Sequence, residues 1–188
     1  MEILIRPTEK KDLPLVKALW ADGDVMKFVG FPDGLVQTDE ELARWHDRLL
    51  KRSPLSMHYS VFEGEVYCGE TWYSIDTVHD NLTSLDIKLF AKARGRGIAS
   101  KALSFTMEQA RLEGAKKVWV NPVPQNERAI KLYKRLGFSA SKVPEHILKE
   151  EGEDGYIYME KELGFKFETA SSFCINSSLN RVSVLFFS

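Results

Sequence analysis

The sequence has few of the groups that staple or anchor a chain. Its two cysteines, Cys68 and Cys174, stand far apart and form no CxxC, so neither a disulfide framework nor a thiolate metal site is expected, and both read as small apolar residues. The four histidines, His46, His58, His79 and His146, lack the HxxxH or HExxH spacing that would put two ligands on one helical face, and no metal is expected. No apolar run approaches the roughly 20 residues of a membrane-spanning helix, and Met1–Ile5 carries no basic segment ahead of an apolar one. A soluble, cytoplasmic chain without membrane attachment is the expectation. Charge of one sign is lacking too: 26 Lys and Arg against 27 Asp and Glu leave a formal net charge of −1. That balance gives no global pull on nucleic acid or an anionic membrane, so any anion site must come from local geometry. Internal repeats and low-complexity linkers are absent as well.

What is present suffices for one core. At 188 residues with 44% hydrophobic content, the chain reads as a single domain. Ile3 to Arg6 alternates like a strand. In "PTEKKDLPLVKALW", Thr8 is a candidate N-cap ahead of Leu13, Val16, Leu19 and Trp20 at helical spacing. Thr38 and Glu41 form a capping box for "TDEELARWHDRLLKR", whose stripe is Leu42, Trp45 and Leu49. From His58 to Phe90 the period changes to two, giving a hairpin around Gly64 and a third strand "LTSLDIKLF". A helix from Ile98 to Glu113, the strand "KVWVN", a helix from Asn126 to Leu136 and strands near Phe138–Lys142 and Tyr156–Leu163 complete a mixed α/β (α+β) sheet.

The chemistry concentrates in "LFAKARGRGIASKAL". A strand ends at Phe90 and a helix starts near Ile98, so the helix N-terminus presents N–H groups without intrahelical partners. Gly95 and Gly97 remove the Cβ atoms that would keep an anion away, and Arg94 and Arg96 add cationic donors. A diphosphate suits such a turn. Ser100 stands where a dinucleotide fingerprint wants its third glycine, and Ile98–Ala99 stand where a P-loop wants Lys and Ser or Thr. A plain strand-to-helix turn with surface arginines remains the alternative, and a nucleotide-binding module is the weaker functional one.

The same stretch resembles the acyl-CoA motif of the GCN5-related N-acetyltransferases (GNAT), with Arg94, Gly97 and Ala99 in its fixed places. "NPVPQNERAIKLYKRLGF", Asn121 to Phe138, is similar to the family's later strand and asparagine-started helix. The resemblance spans Met1 to about Leu163 and is looser toward the subgroup of ribosomal-protein alanine, polyamine and antibiotic acetyltransferases. It implies a domain over 1–163 with about six or seven strands, mostly antiparallel and twisted, flanked by about four helices and splayed at the fourth strand. It also implies acetyl-CoA as cosubstrate, bound by Leu89, Phe90, Arg94, Gly95, Arg96, Gly97, Ile98, Ala99, Ser100, Asn121, Asn126, Ala129 and Tyr133. The implied reaction moves the acetyl group to a primary amine of a small molecule or a peptide N-terminus by direct attack in a ternary complex. A non-catalytic acyl-CoA sensor on the same fold is the alternative.

In that reaction Tyr133 corresponds to the family's general acid, although it also sits at helical spacing with Ile130 and Phe138 as a core aromatic would. The family's strand glutamate is missing: Thr83 or Ser84 occupies its place. Asp86, on the polar face with Ser84 and Lys88, and Glu70 on the neighbouring strand are substitute bases, each equally readable as a solvated surface acid. Asp24, Asp33, Asp39, Glu40 and Glu41 could attract a cationic acceptor, yet acids also suit the first turn of a helix, the preferred reading for Asp39 to Glu41. The extension 164–188, with its β-prone "VSVLFF", reads as an edge strand or an irregular tail without catalytic role. A monomer or homodimer is expected.

Overall fold

The computed structural model describes residues 2–152 and 155–164. Residues 165–188, with Cys174 and nearly all of the expected C-terminal extension, lie outside them. The elements run β1 (Ile3–Pro7), α1 (Leu13–Trp20), α2 (Gly23–Met26), α3 (Asp39–Arg52), β2 (Ser56–Glu63), β3 (Val66–Asp76), β4 (Leu82–Leu89), α4 (Ile98–Leu112), β5 (Lys117–Val120), α5 (Glu127–Arg135), β6 (Ser139–Ala140), α6 (Glu145–Glu151) and β7 (Met159–Glu162). The seven strands make one sheet in the order β1-β2-β3-β4-β5-β7-β6. β4 and β5 pair in parallel; the other pairings are antiparallel.

Local chemistry explains most boundaries. Thr38 and Glu41 close the expected capping box on α3. The Asn126 side chain accepts the Ala129 N–H at 3.2 Å and starts α5. The β2–β3 hairpin turns at Gly64, in the left-handed region. Thr8 does not cap α1. Its hydroxyl lies 2.8 Å from His58 Nδ1 and 2.9 Å from Ser60 Oγ, and a 3-10 turn over Lys10–Asp12 precedes α1. Six helices are present among the described residues instead of about four. The Asp22 side chain caps Asp24 and Val25 to nucleate α2, and Pro144 leads into α6, whose Ile147 is buried with Leu82 and Tyr158. The last strands are shorter than expected.

Register divides the sheet into two unlike faces. Tyr59, Tyr73, Ile75 and Leu85 pack against Leu103, Met107 and Ala110 of α4 and Leu132 and Tyr133 of α5, forming the main core. On the opposite face, β2 and β3 place Ser60 beside Glu70 and His58 beside Trp72, and β3 and β4 place Glu70 beside Lys88 and Trp72 beside Asp86. That second face is polar and still largely covered, by α1 and α3. Ser60, His58 and Glu70 are all buried. Buried polar groups must be partnered, and here they are chained together. Trp20 Nε1 donates to Glu70 Oε1 at 2.8 Å. His58 Nε2 stands 3.2 Å from Glu70 Oε2, near enough for an ion pair but not aligned as a directed hydrogen bond.

The chain of contacts ends in a two-pronged ion pair: Arg6 Nη1 and Nη2 donate to the buried Asp12 at 2.6 and 2.8 Å. Burial pushes the Asp12 carboxyl up, but Arg6 and the Glu9 N–H more than offset this and hold it below the ordinary carboxylate range. A folded carboxyl with a depressed pKa contributes stability above its unfolded value, about 3.9, and loses it as pH falls through the folded value. Arg6→Ala, which strands Asp12, is expected to cost about 3 kcal/mol in urea unfolding at pH 7, and the gap to the parent should narrow below about pH 4. A gap that is absent, or equal at both pH values, contradicts this role.

Candidate functional site

The sheet opens at β4. Only Leu82, Thr83 and Ser84 pair with β5, against Lys117, Val118 and Trp119. Beyond Ser84 the two strands part, so the β4 edge from Leu85 to Leu89 has no strand partner on that side among the described residues. The gap is a cavity of about 630 Å³ lined by Leu85–Leu89, Val120, Asn121, Asn126, Ala129 and Tyr133. A second cavity of about 320 Å³ shares Ile87, Leu89, Arg94 and Ala129 with it and reaches Gly95, Gly97, Ala99 and Ser100.

That second end is the glycine turn. Gly95 and Gly97 adopt φ of +75° and +78°, a region in which Cβ is strained. A Cβ on either would meet no atom within 4 Å, so both face open space. Gly97 is the N-cap of α4 and no side chain caps that end; the first N–H groups of the helix therefore remain available to an anion. The arginines of the turn are engaged elsewhere. Arg94 donates from Nη1 to Asp24 at 2.8 Å and from Nε to the Leu89 carbonyl at 3.0 Å, which ties α2 to the end of β4. Arg96 pairs with Glu63 at 2.6 Å. Ile98 is buried in the core and Phe90 packs toward Tyr67, so Phe90, Arg96 and Ile98 bring no side chain to the cleft. Two cations absent from the sequence reading take their place: Arg128 and Arg135 of α5 line the small cavity, with no ion-pair partner among the described residues. With Leu132 they recur at i, i+4 and i+7, the spacing that would have shown one helical face.

Tyr133 is both core and cleft. Its ring centroid is 5.6 Å from that of Phe138, and it lines the larger cavity. Burial, reinforced by the Asp86 carboxylate, pushes its phenol above the ordinary range, so the hydroxyl keeps its proton at neutral pH and acts as a donor. Asp86 lines the same cavity, is ion-paired with Lys88, and accepts the Ile87 N–H at 2.7 Å. Glu70 is not the solvated strand acid that its alternation suggests: it is 1% exposed and lies 3.6 Å from Lys88. Burial pushes its carboxyl up, but His58 and Lys88 outweigh this and leave it below the ordinary value. Such a group is a fixed anion rather than a ready proton acceptor.

On the polar face lies a third cavity, about 940 Å³, walled by Trp20, Trp45, Trp72 and Trp119, all the tryptophans of the chain. Trp45 meets Trp20 edge-on at 4.9 Å and His58 at 4.8 Å. Glu70 lines it, and Lys88 lines both it and the β4–β5 cleft. The helical stripes that hold Trp20 and Trp45 read from sequence as core; only the fold shows that they border space. Three of the five acids weighed for a cationic acceptor are committed: Asp24 of α2 to Arg94, and in α3 Asp39 to Lys17 at 2.7 Å and the Glu41 carboxylate to the Thr38 N–H at 2.8 Å.

Comparison with known proteins agrees with this geometry. The acetyltransferase (GNAT) domain family matches residues 2–139. No protein of curated function matches the chain in sequence. Among solved structures, a GNAT-family acetyltransferase from Streptococcus pneumoniae superposes with a TM-score of 0.71 at 22% identity, over 87% of this chain and 100% of that one. A ribosomal-protein-alanine N-acetyltransferase from Brucella melitensis gives 0.70 at 20%, over 85% and 99%. The spermidine N-acetyltransferase of Vibrio cholerae, solved with CoA and spermine, gives 0.69 at 15%, over 85% and 95%. The expected fold, splayed at its fourth strand, is the one observed, and the chain belongs to the GNAT acetyltransferase domain family.

Proposed function

We propose that the protein is an acetyl-CoA-dependent N-acetyltransferase that acetylates a primary amine of a small molecule or of a peptide N-terminus. The observation that carries this reading is the parting of β4 and β5 after Ser84, with a glycine-lined helix end at one side of the opening and the protonated Tyr133 within it.

Acetyl-CoA, when bound, supplies an acyl group activated as a thioester. The chain's residues do the rest. The free edge of Leu85–Leu89 offers N–H and C=O groups to the amides of the pantetheine arm, as to an added strand. Gly95, Gly97 and the α4 N-terminus receive the diphosphate, with Arg128 and Arg135 supplying positive charge nearby. As the amine nitrogen bonds to the carbonyl carbon and the C–S bond breaks, the departing sulfur takes the phenolic proton of Tyr133. A cationic amine sheds two protons: the first leaves to water and frees the lone pair before attack. The second, lost as the amide forms, goes to Asp86, the β4 carboxylate that lines the cleft beside Tyr133, directly or through water, and from there by solvent back to the Tyr133 phenolate. The products are an N-acetyl amide and free CoA.

The acceptor comes from the tryptophan cavity. The four tryptophans that wall it and the buried Glu70 suit a cationic amine, which gains from cation–π contact and from a fixed anion. Spermine in the Vibrio structure supports an amine acceptor on this fold.

Thiol release over polyamines, aminoglycosides, amino acids and peptides with free N-termini should find a substrate. CoA binding without release for any amine would favour a sensor instead. Tyr133→Phe should lower turnover by about 100-fold with little change in acetyl-CoA affinity; unchanged turnover removes Tyr133 as the acid. Ser100→Asp adds a carboxylate three residues into α4, which the helix dipole favours. Its melting temperature should hold or rise while CoA affinity drops about tenfold or more, and undiminished affinity would mean that the diphosphate lies elsewhere.

A further inference from the structure

Away from the acetyl cleft, the β3–β4 turn and α6 bring together three side chains with metal-ligating atoms. Asp76 ends β3, His79 follows in the turn, and His146 lies in the first turn of α6. One ligand atom from each residue lies within 4.8 Å of the other two. Asp76 Oδ1 accepts the N–H groups of Val78 and His79 at 2.9 and 3.2 Å, and its second oxygen, Oδ2, faces His79 Nδ1 at 2.7 Å. The two imidazoles stack, with ring centroids 3.7 Å apart and planes within 1°.

The two supports of this cluster are fixed independently of it. The turn passes through Asp80 and Asn81, both left-handed at φ of 54° and 56°, and Asn81 Nδ2 donates to the Gly114 carbonyl at 3.0 Å. α6 is anchored by Ile147, buried against Leu82 and Tyr158. The frame brings the two imidazoles and the carboxylate together, and the Asp76–His79 contact and the ring stacking add to it.

We propose that Asp76, His79 and His146 bind a divalent transition-metal ion of the zinc class. Two imidazole nitrogens and one carboxylate oxygen are the donors that such borderline ions take, with water completing the shell; magnesium and calcium prefer oxygen-only shells. Bond lengths of about 2.0–2.2 Å place the ligand atoms of a tetrahedral ion roughly 3.4 Å apart. The side chains must converge by about 1.4 Å from their widest separation, and the stacked rings must tilt so that one nitrogen of each points inward. Partial exposure of His79 and Asp76 leaves room for this.

Asp76 and His146 also line the tryptophan cavity. The ion would tie α6 to the β3–β4 turn at the rim of that cavity, as a clasp, and takes no part in acetyl transfer at Tyr133 and Asp86. Sequence spacing conceals the site, because its histidines come from two segments that only the fold brings together.

The test uses the full-length, tag-free protein stripped with EDTA. Calorimetric titration with zinc chloride should show one ion per chain, zinc should raise the melting temperature, and magnesium chloride should do neither. Cobalt(II) should develop visible d–d absorption on binding. His79→Ala and His146→Ala should each weaken zinc binding at least about tenfold, and the double variant should abolish the one-to-one binding while melting like the parent in EDTA. Absence of stoichiometric zinc binding, or binding that survives in the double variant, overturns the proposal.

Discussion

Everything functional in this molecule depends on one interrupted ladder. Parallel strands normally stay paired along their shared length because each unpaired backbone group forfeits a hydrogen bond. Here β5 is only four residues long and meets β4 at Leu82, Thr83 and Ser84 alone. The chain then leaves through Asn121, Pro122 and the loop to Asn126, and the rest of β4 faces a gap. The cost of that exposed edge is also its use, because an extended amide-bearing ligand can satisfy it. The gap stays open because both walls are anchored elsewhere: β4 to β3 along its whole length, and α5 to the main core through Leu132 and Tyr133.

The two faces of the sheet then divide the labour. The apolar face under α4 and α5 supplies rigidity and places the phenol of Tyr133 in a dry setting that preserves its proton. The polar face under α1 and α3 carries a continuous set of partnered groups, from Arg6 and Asp12 through Ser60, Thr8 and His58 to Glu70 and Lys88. Lys88 is the hinge between the two cavities: its charge is shared by Glu70 on one side and Asp86 on the other. Under the proposed function a cationic acceptor would pass Lys88, whose charge the two carboxylates more than balance.

The sequence made local features legible where local chemistry decides them. The Thr38–Glu41 box, the Gly64 hairpin, the Asn126 cap and the glycine turn each involve residues within a few positions of one another. Where a distant partner decides, the reading failed. Thr8 looked like a cap, but His58 and Ser60 hold its hydroxyl. Nor could spacing show that Asp24 pairs with Arg94 and Glu63 with Arg96 in the glycine turn. Alternation placed Ser84, Asp86 and Lys88 on one face correctly; it could not say that helices cover Glu70 on the neighbouring strand and leave Asp86 at the cleft. Trp20 and Trp45 sit at core spacing, and no periodicity distinguishes a core wall from a cavity wall.

The central claim is that acetyl-CoA occupies the opening between β4 and β5 with its diphosphate on the glycine turn. Backbone amide hydrogen exchange with and without acetyl-CoA tests it most directly. The account predicts slowed exchange in two stretches, 85–89 and 95–100, with little change along β2, whose amides already pair on both sides. Unchanged exchange in those stretches, with protection appearing elsewhere in the chain, would contradict it.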